Sequence, residues 1–198
     1  MIRLYGTITS PYVRRVRVVA EELGLAHELI DTATDAGQAR LREKTPTWKV
    51  PAADIDGLLV FDSHAITELL LERVGSDAIA PWRVDDVEAR NVLNVVDGAL
   101  DALINVFYLR KEGVDVDQVP YLKKQQGRAR AALGWLENHA YEPYLTSKRQ
   151  FGLPEIGLGT ALGWMRFRNA YPIDDHPRLL RCLEQLEQRA SFRATQPA

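Results

Sequence analysis

A chain of 198 residues can bury a full core, as one domain or as two small ones. Its 46% hydrophobic and 26% charged residues leave no room for a large disordered portion, and 25 Lys and Arg against 27 Asp and Glu give a net charge of −2, so the basic field that nucleic acid or an anionic membrane requires is absent. The single cysteine, Cys182, excludes an intrachain disulfide and a multi-cysteine metal site, and no signal-peptide core or membrane span is read, so the expectation is a cytosolic protein with neither nucleic acid nor membrane as partner.

In chain order, Ile2 to Tyr5 is a short apolar run closed by Gly6, and Val13, Val16, Ala20 and Leu23 then share one helical face that stops at Gly24. Ala26 to Ile30 is a second strand candidate, followed by an irregular link. Ala52 to Ile55 and Leu58 to Phe61 flank Asp56-Gly57, a two-residue hairpin signal. Ser63 can cap a helix carrying Ile66, Leu69, Leu70 and Val74, with Gly75 beyond it. From Ser76 to Asp85 periodicity is lost around Pro81-Trp82, which reads as a linker. Strand signals then cease: Asp86 to Lys111, Val119 to His139, Pro154 to Asn169 and Pro177 to Arg189 are amphipathic helices. The predicted fold class is α+β, an N-terminal unit over 1–77 with strands and helices followed by an all-helical unit over 86–198.

Three short segments can carry chemistry. Thr9-Ser10-Pro11-Tyr12 lies between the first strand and the first helix, where helix-end amides favour an anion; the plainer reading is that Thr9 or Ser10 only caps the helix. Lys49-Val50-Pro51 precedes the hairpin; a cis proline there exposes Val50's backbone for a peptide-like ligand, whereas an ordinary trans proline at a strand start does not. Asp62-Ser63 opens a helix and suits an amino-acid head group, Asp62 for the ammonium and Ser63 with nearby amides for the carboxylate, or it is a simple cap. His27, His139 and His176 lack metal-site or catalytic spacing, and no metal is expected.

Together these segments resemble the glutathione transferase family over the whole chain. Thr9-Ser10-Pro11-Tyr12 with Arg14-Arg15-Val16-Arg17 is similar to the family's first-helix motif, Lys49-Val50-Pro51 to its cis-proline segment, and Phe61-Asp62-Ser63-His64-Ala65-Ile66 to its second-helix start. The resemblance implies a thioredoxin-like N-terminal domain of β-α-β-β-β-α type, an all-α C-terminal domain and a homodimer. It implies that Ser10 is the catalytic residue, donating to the glutathione sulfur and favouring thiolate. Val50 and Pro51 would form the cysteinyl subsite, with Val50 pairing through its backbone, Lys49 would lie near the glycyl carboxylate, and Asp62 with Ser63 would hold the γ-glutamyl end. Glutathione is then a co-substrate, no further cofactor is implied, and the other partner is a small hydrophobic electrophile against helices around Phe107, Tyr108 and Trp164.

Two departures stand out. Thr45-Pro46-Thr47-Trp48 replaces the family's usual approach to the lysine, and Trp48 is expected to reshape the glycyl end. Glu155-Ile156-Gly157-Leu158 stands where a Ser/Thr-x-x-Asp capping box is usual, so both halves of that box are expected to be missing, with Glu155 left to bind backbone amides. A transferase-fold protein that binds without catalysing is the alternative. A thiol-disulfide oxidoreductase fits worse, because position 10 is serine and Cys182 lies in the last predicted helix.

Overall fold

The computed structural model describes residues 1–75 and 77–197; Ser76, the start of the predicted linker, lies outside the described residues. The chain divides into two compact units, one comprising Met1–Trp82 with Glu187–Ala198 and the other Arg83–Leu186.

In the first unit the strands are β1 (Ile2–Gly6), β2 (His27–Asp31), β3 (Ala52–Ile55) and β4 (Leu58–Phe61), and the helices α1 (Pro11–Glu22), α2 (Asp35–Lys44) and α3 (Ser63–Val74). The sheet order is β2-β1-β3-β4, with β2 parallel to β1 and the β3–β4 hairpin antiparallel to it. This is the thioredoxin-like arrangement. Successive side chains alternate across the sheet, so Tyr5 and Ala52 pack on Leu41 of α2 while Leu4 and Ala53 face the opposite side. There Gly6 lets α1 approach closely: a Cβ at position 6 would come within 2.3 Å of a Val13 methyl.

The α2 helix corrects the expected irregular link and the predicted β-α-β-β-β-α order, which becomes β-α-β-α-β-β-α. Thr34 caps α2 by accepting from Gly37 N at 3.1 Å, but only Gly37 and Leu41 of its ten residues are buried. So narrow a buried face leaves little periodicity to read. Gly37 is required by contact, since a Cβ there would meet the Asp31 carbonyl oxygen at 1.9 Å.

A second correction concerns the C-terminus. The predicted helical unit over 86–198 overshoots, because residues from Glu187 onward, including α8 (Ala190–Ala194), belong to the first unit. Arg14 Nη2 donates to Phe192 O at 3.1 Å and Arg17 Nη2 to Ala194 O at 3.4 Å, which satisfies carbonyls that a helix end leaves open. Glu22 accepts from Arg189 at 2.7 and 2.8 Å and from the Ser191 hydroxyl at 2.5 Å. Burial pushes the Glu22 carboxyl up, but these bonds hold it below its ordinary value. At the other boundary, Trp82 of the predicted linker is tied to the first unit by its indole N–H, which donates to Glu68 at 2.7 Å.

The second unit is built from α4 (Val87–Lys111), α5 (Pro120–His139), α6 (Leu153–Phe167), a 3-10 turn (Ile173–Asp175) and α7 (Pro177–Glu187). By length and composition α4 could cross a membrane, which the sequence reading did not anticipate. Its apolar stripe, Val92, Leu93, Val96, Leu100, Leu103 and Val106, is buried in the bundle. Every residue of α6 from Leu153 to Met165 is buried, the pattern of a helix at the centre of a core. Its N-cap is Gly152 and Glu155 is the third helical residue, so the capping-box expectation was out of register. Glycine has no side chain to accept a bond, but the acidic half is present. Glu155 accepts from Gly152 N and from Leu145 N, both at 2.9 Å.

Candidate functional site

Strand register brings the predicted segments together. Tyr5 lies opposite Ala52 and Ala52 opposite Phe61. The chain therefore leaves β1 toward Ser10, enters β3 from Val50-Pro51 and leaves β4 into Asp62-Ser63 all at one end of the sheet. Asp62 N donates to Pro51 O at 3.4 Å, extending the hairpin by one link.

Ser10 is the N-cap of α1, in extended conformation, with Pro11 at the first helical position. Its Oγ accepts a long 3.4 Å bond from Val13 N. A hydroxyl that accepts from a helix amide still has its own proton to donate, so capping and anion binding are compatible roles for this side chain. The two neighbouring hydroxyls are placed differently. Thr9 Oγ1 meets Thr7 Oγ1 at 3.4 Å, and the Tyr12 ring lies under the Arg15 guanidinium at 5.6 Å.

The Val50–Pro51 peptide is cis. Val50 is half-buried, and no backbone-to-backbone hydrogen bond among the described residues involves it. Lys49 is exposed beside Trp48, which is 60% exposed, has φ of 55° and carries the Arg42 guanidinium 4.9 Å above its ring. The expected influence of Trp48 on its surroundings thus has a partner on α2 that the sequence reading did not identify.

The cap of α3 is Asp62 rather than Ser63, a correction of one residue. Asp62 Oδ1 accepts from His64 N at 2.8 Å and Ala65 N at 3.1 Å. The backbone here is unusual: φ of 70° with ψ of 162° is a region that side-chain-bearing residues avoid, at a cost of roughly 1–3 kcal/mol. Such outliers cluster where a side chain must be held in place. Ser63, the first helical residue, is 3% exposed and accepts from Arg15 Nη1 at 3.3 Å.

Arg15 is the residue the sequence reading missed. In the sequence it is one member of the Arg14-Arg15-Val16-Arg17 run, yet helical spacing separates those members: positions 14 and 17 share a face and bind α8, while 15 points elsewhere and is 1% exposed. A buried guanidinium that reaches the Ser63 hydroxyl ties α1 to α3 and supplies positive charge behind the helix start.

In the helical unit, the residues expected to wall the second substrate do form one cluster. Phe107 makes edge contacts with Tyr108, centroids 5.4 Å apart, and with Trp164, 5.5 Å apart.

Comparison with known proteins places these features in context. Residues 4–78 match the family described as glutathione S-transferase, N-terminal domain. The uncharacterized GST-like protein YibF of Escherichia coli (strain K12) is 26% identical over 201 residues, covering 99% of this chain and 98% of the relative. A glutathione S-transferase of Methylobacillus flagellatus KT, crystallised with GSH bound, superposes with a TM-score of 0.86 at 25% identity over 100% of both chains. A glutathione transferase family member of Pseudomonas fluorescens Pf-5 with bound glutathione gives 0.85 at 27% identity, again over 100% of both.

Proposed function

We propose, from the premise that this chain belongs to the glutathione transferase family, that it binds glutathione at the strand end of its first unit and activates the thiol for attack on a small electrophile. The observation that carries the reading is Ser10: a hydroxyl at the N-terminus of α1, on the end of the sheet where Val50 and Asp62-Ser63 also emerge. The solved relatives with glutathione bound support it.

In this reading the cysteinyl unit pairs with the main chain of Val50, beside Pro51. Oδ2 of Asp62 takes the γ-glutamyl ammonium, Ser63 and the α3 amides take its carboxylate, and Lys49 takes the glycyl carboxylate. The sulfur then faces the Ser10 hydroxyl and the positive end of α1, both of which favour thiolate over thiol. Cys182 offers no competing redox chemistry. It is fully buried, and burial, together with nearby carboxylates, pushes its thiol up to about 11.

The test is calorimetric titration with glutathione, followed by conjugation to an activated aryl halide. Ser10→Ala should keep the binding affinity within about threefold, raise the bound thiol's pKa by about one unit and slow conjugation about tenfold below that pKa, since one unit is 1.36 kcal/mol of thiolate preference. An unchanged thiol pKa and rate would remove Ser10 from the chemistry. Binding without turnover in the wild type would leave a non-catalytic transferase-fold protein. We further propose a homodimer, for which sedimentation velocity at micromolar concentration should give about twice the chain mass; a single 22.3 kDa species would refute it.

A further inference from the structure

One arginine of the helical unit is built unlike its neighbours. Arg178 and Arg181 both donate to Glu142, at 2.8 and 2.6 Å, as surface arginines usually do when a carboxylate is in reach. The side chain of Arg168, just past the end of α6, has no carboxylate or hydrogen-bond partner among the described residues, and its Nε is buried without one. Its guanidinium lies instead against two rings, 4.8 Å from the Phe167 centroid and 5.6 Å from that of Phe107.

That arrangement has two consequences. Contacts with two ring faces fix the guanidinium plane without consuming its charge, because a ring quadrupole attracts a cation far more weakly than a carboxylate does. One of the rings that hold it, Phe167, is 41% exposed, and the other, Phe107, touches both Tyr108, 54% exposed, and the buried Trp164. A fixed cation held between aromatic rings and unneutralised by a carboxylate is complementary to a flat conjugated body bearing a negative group.

We infer that Arg168 and the rings around it bind the carboxylate of a planar aromatic acid. The inference rests on the proposed transferase function only in taking that acid to be the electrophilic substrate. An α,β-unsaturated aromatic acid fits both parts, its ring against Phe167 and Phe107 and its carboxylate on Arg168. The binding step itself makes and breaks no covalent bond.

Trans-cinnamate and its neutral near-isostere trans-cinnamide are the probes, titrated against the full chain by calorimetry and by quenching of tryptophan fluorescence. The wild type should bind cinnamate about tenfold more tightly than cinnamide, the worth of one charge-assisted pair, and the preference should shrink as salt is raised. Arg168→Gln should abolish that preference while leaving cinnamide affinity unchanged, and Arg168→Lys should retain part of it. Equal binding of the two probes by the wild type, or a preference that survives Arg168→Gln, would overturn the inference. A glutathione titration of each protein serves as the control. Loss of glutathione binding in the wild type would count against the transferase reading alone, whereas intact glutathione binding with no cinnamate preference would count against the Arg168 site alone.

Discussion

Replacing Glu155 with alanine should destabilise the protein by about 3 kcal/mol at pH 5, because two buried backbone N–H groups lose their acceptor at once and each costs about 1–3 kcal/mol when left unsatisfied. The two donors, Gly152 N and Leu145 N, lie at the start of α6 and in the loop before it, so one side chain fastens the loop to the helix. Burial pushes this carboxyl up to about 7 from 4.5, against the pull of the amides. With the folded-state value above the unfolded one, the native protein holds a proton that the unfolded chain has released, and this group's contribution to stability falls as pH rises from 4.5 through 7. The gap between wild type and Glu155→Ala should therefore narrow between pH 5 and pH 8. Glu155→Gln, with one acceptor oxygen for two donors, should fall between the other two. Urea unfolding at both pH values measures all of this. A loss below about 1 kcal/mol at pH 5, or a gap that widens with pH, would show that Glu155 does not hold this junction.

The second large effect is on ligand affinity. Asp62→Ala combined with Ser63→Ala should weaken glutathione binding roughly 100-fold or more, since each residue supplies a charge-assisted contact of about 1.5–3 kcal/mol and every 1.4 kcal/mol is tenfold. Part of any loss will be structural, because Asp62 caps α3 and Ser63 receives a bond from buried Arg15. Asp62→Asn separates the contributions: the amide oxygen can still cap His64 N and Ala65 N, but the negative charge is gone. If calorimetry gave the double variant the wild-type affinity, the γ-glutamyl end would have to be placed elsewhere. If only Asp62→Asn matched wild type, Asp62 would act through its cap alone.

Much of the fold was legible because its signals are local. Asp56-Gly57 adopts φ values of 55° and 88° in the hairpin turn, as that dipeptide predicts, and the long helices announced themselves by apolar periodicity. What stayed hidden depends on partners distant in sequence. The α2 helix buries only two residues, and α8 has five, so neither presents a stripe long enough to see. At the site, Ser10, Val50-Pro51 and Asp62-Ser63 could be picked out by their places at element ends. Arg15 could not, because an arginine in a basic run reads as solvated until the tertiary structure buries it against Ser63. The α6 cap is misplaced for a different reason: matching Glu155 to the first position of a capping motif, rather than the last, hides its pairing with Gly152 although the predicted helix start at Pro154 is one residue from the observed Leu153.

The return of the C-terminal segment to α1 bears on the order in which the chain matures during synthesis. Glu22, Arg14 and Arg17 emerge from the ribosome early, but their partners Arg189, Ser191, Phe192 and Ala194 follow only after about 100 residues of the helical unit have intervened. Until Ala194 has emerged, α1 lacks the contacts that Arg189 and α8 supply, so the sheet unit reaches its final form only after the helical unit has been made. Removing the residues from Glu187 onward would thus damage the part of the protein that was translated first.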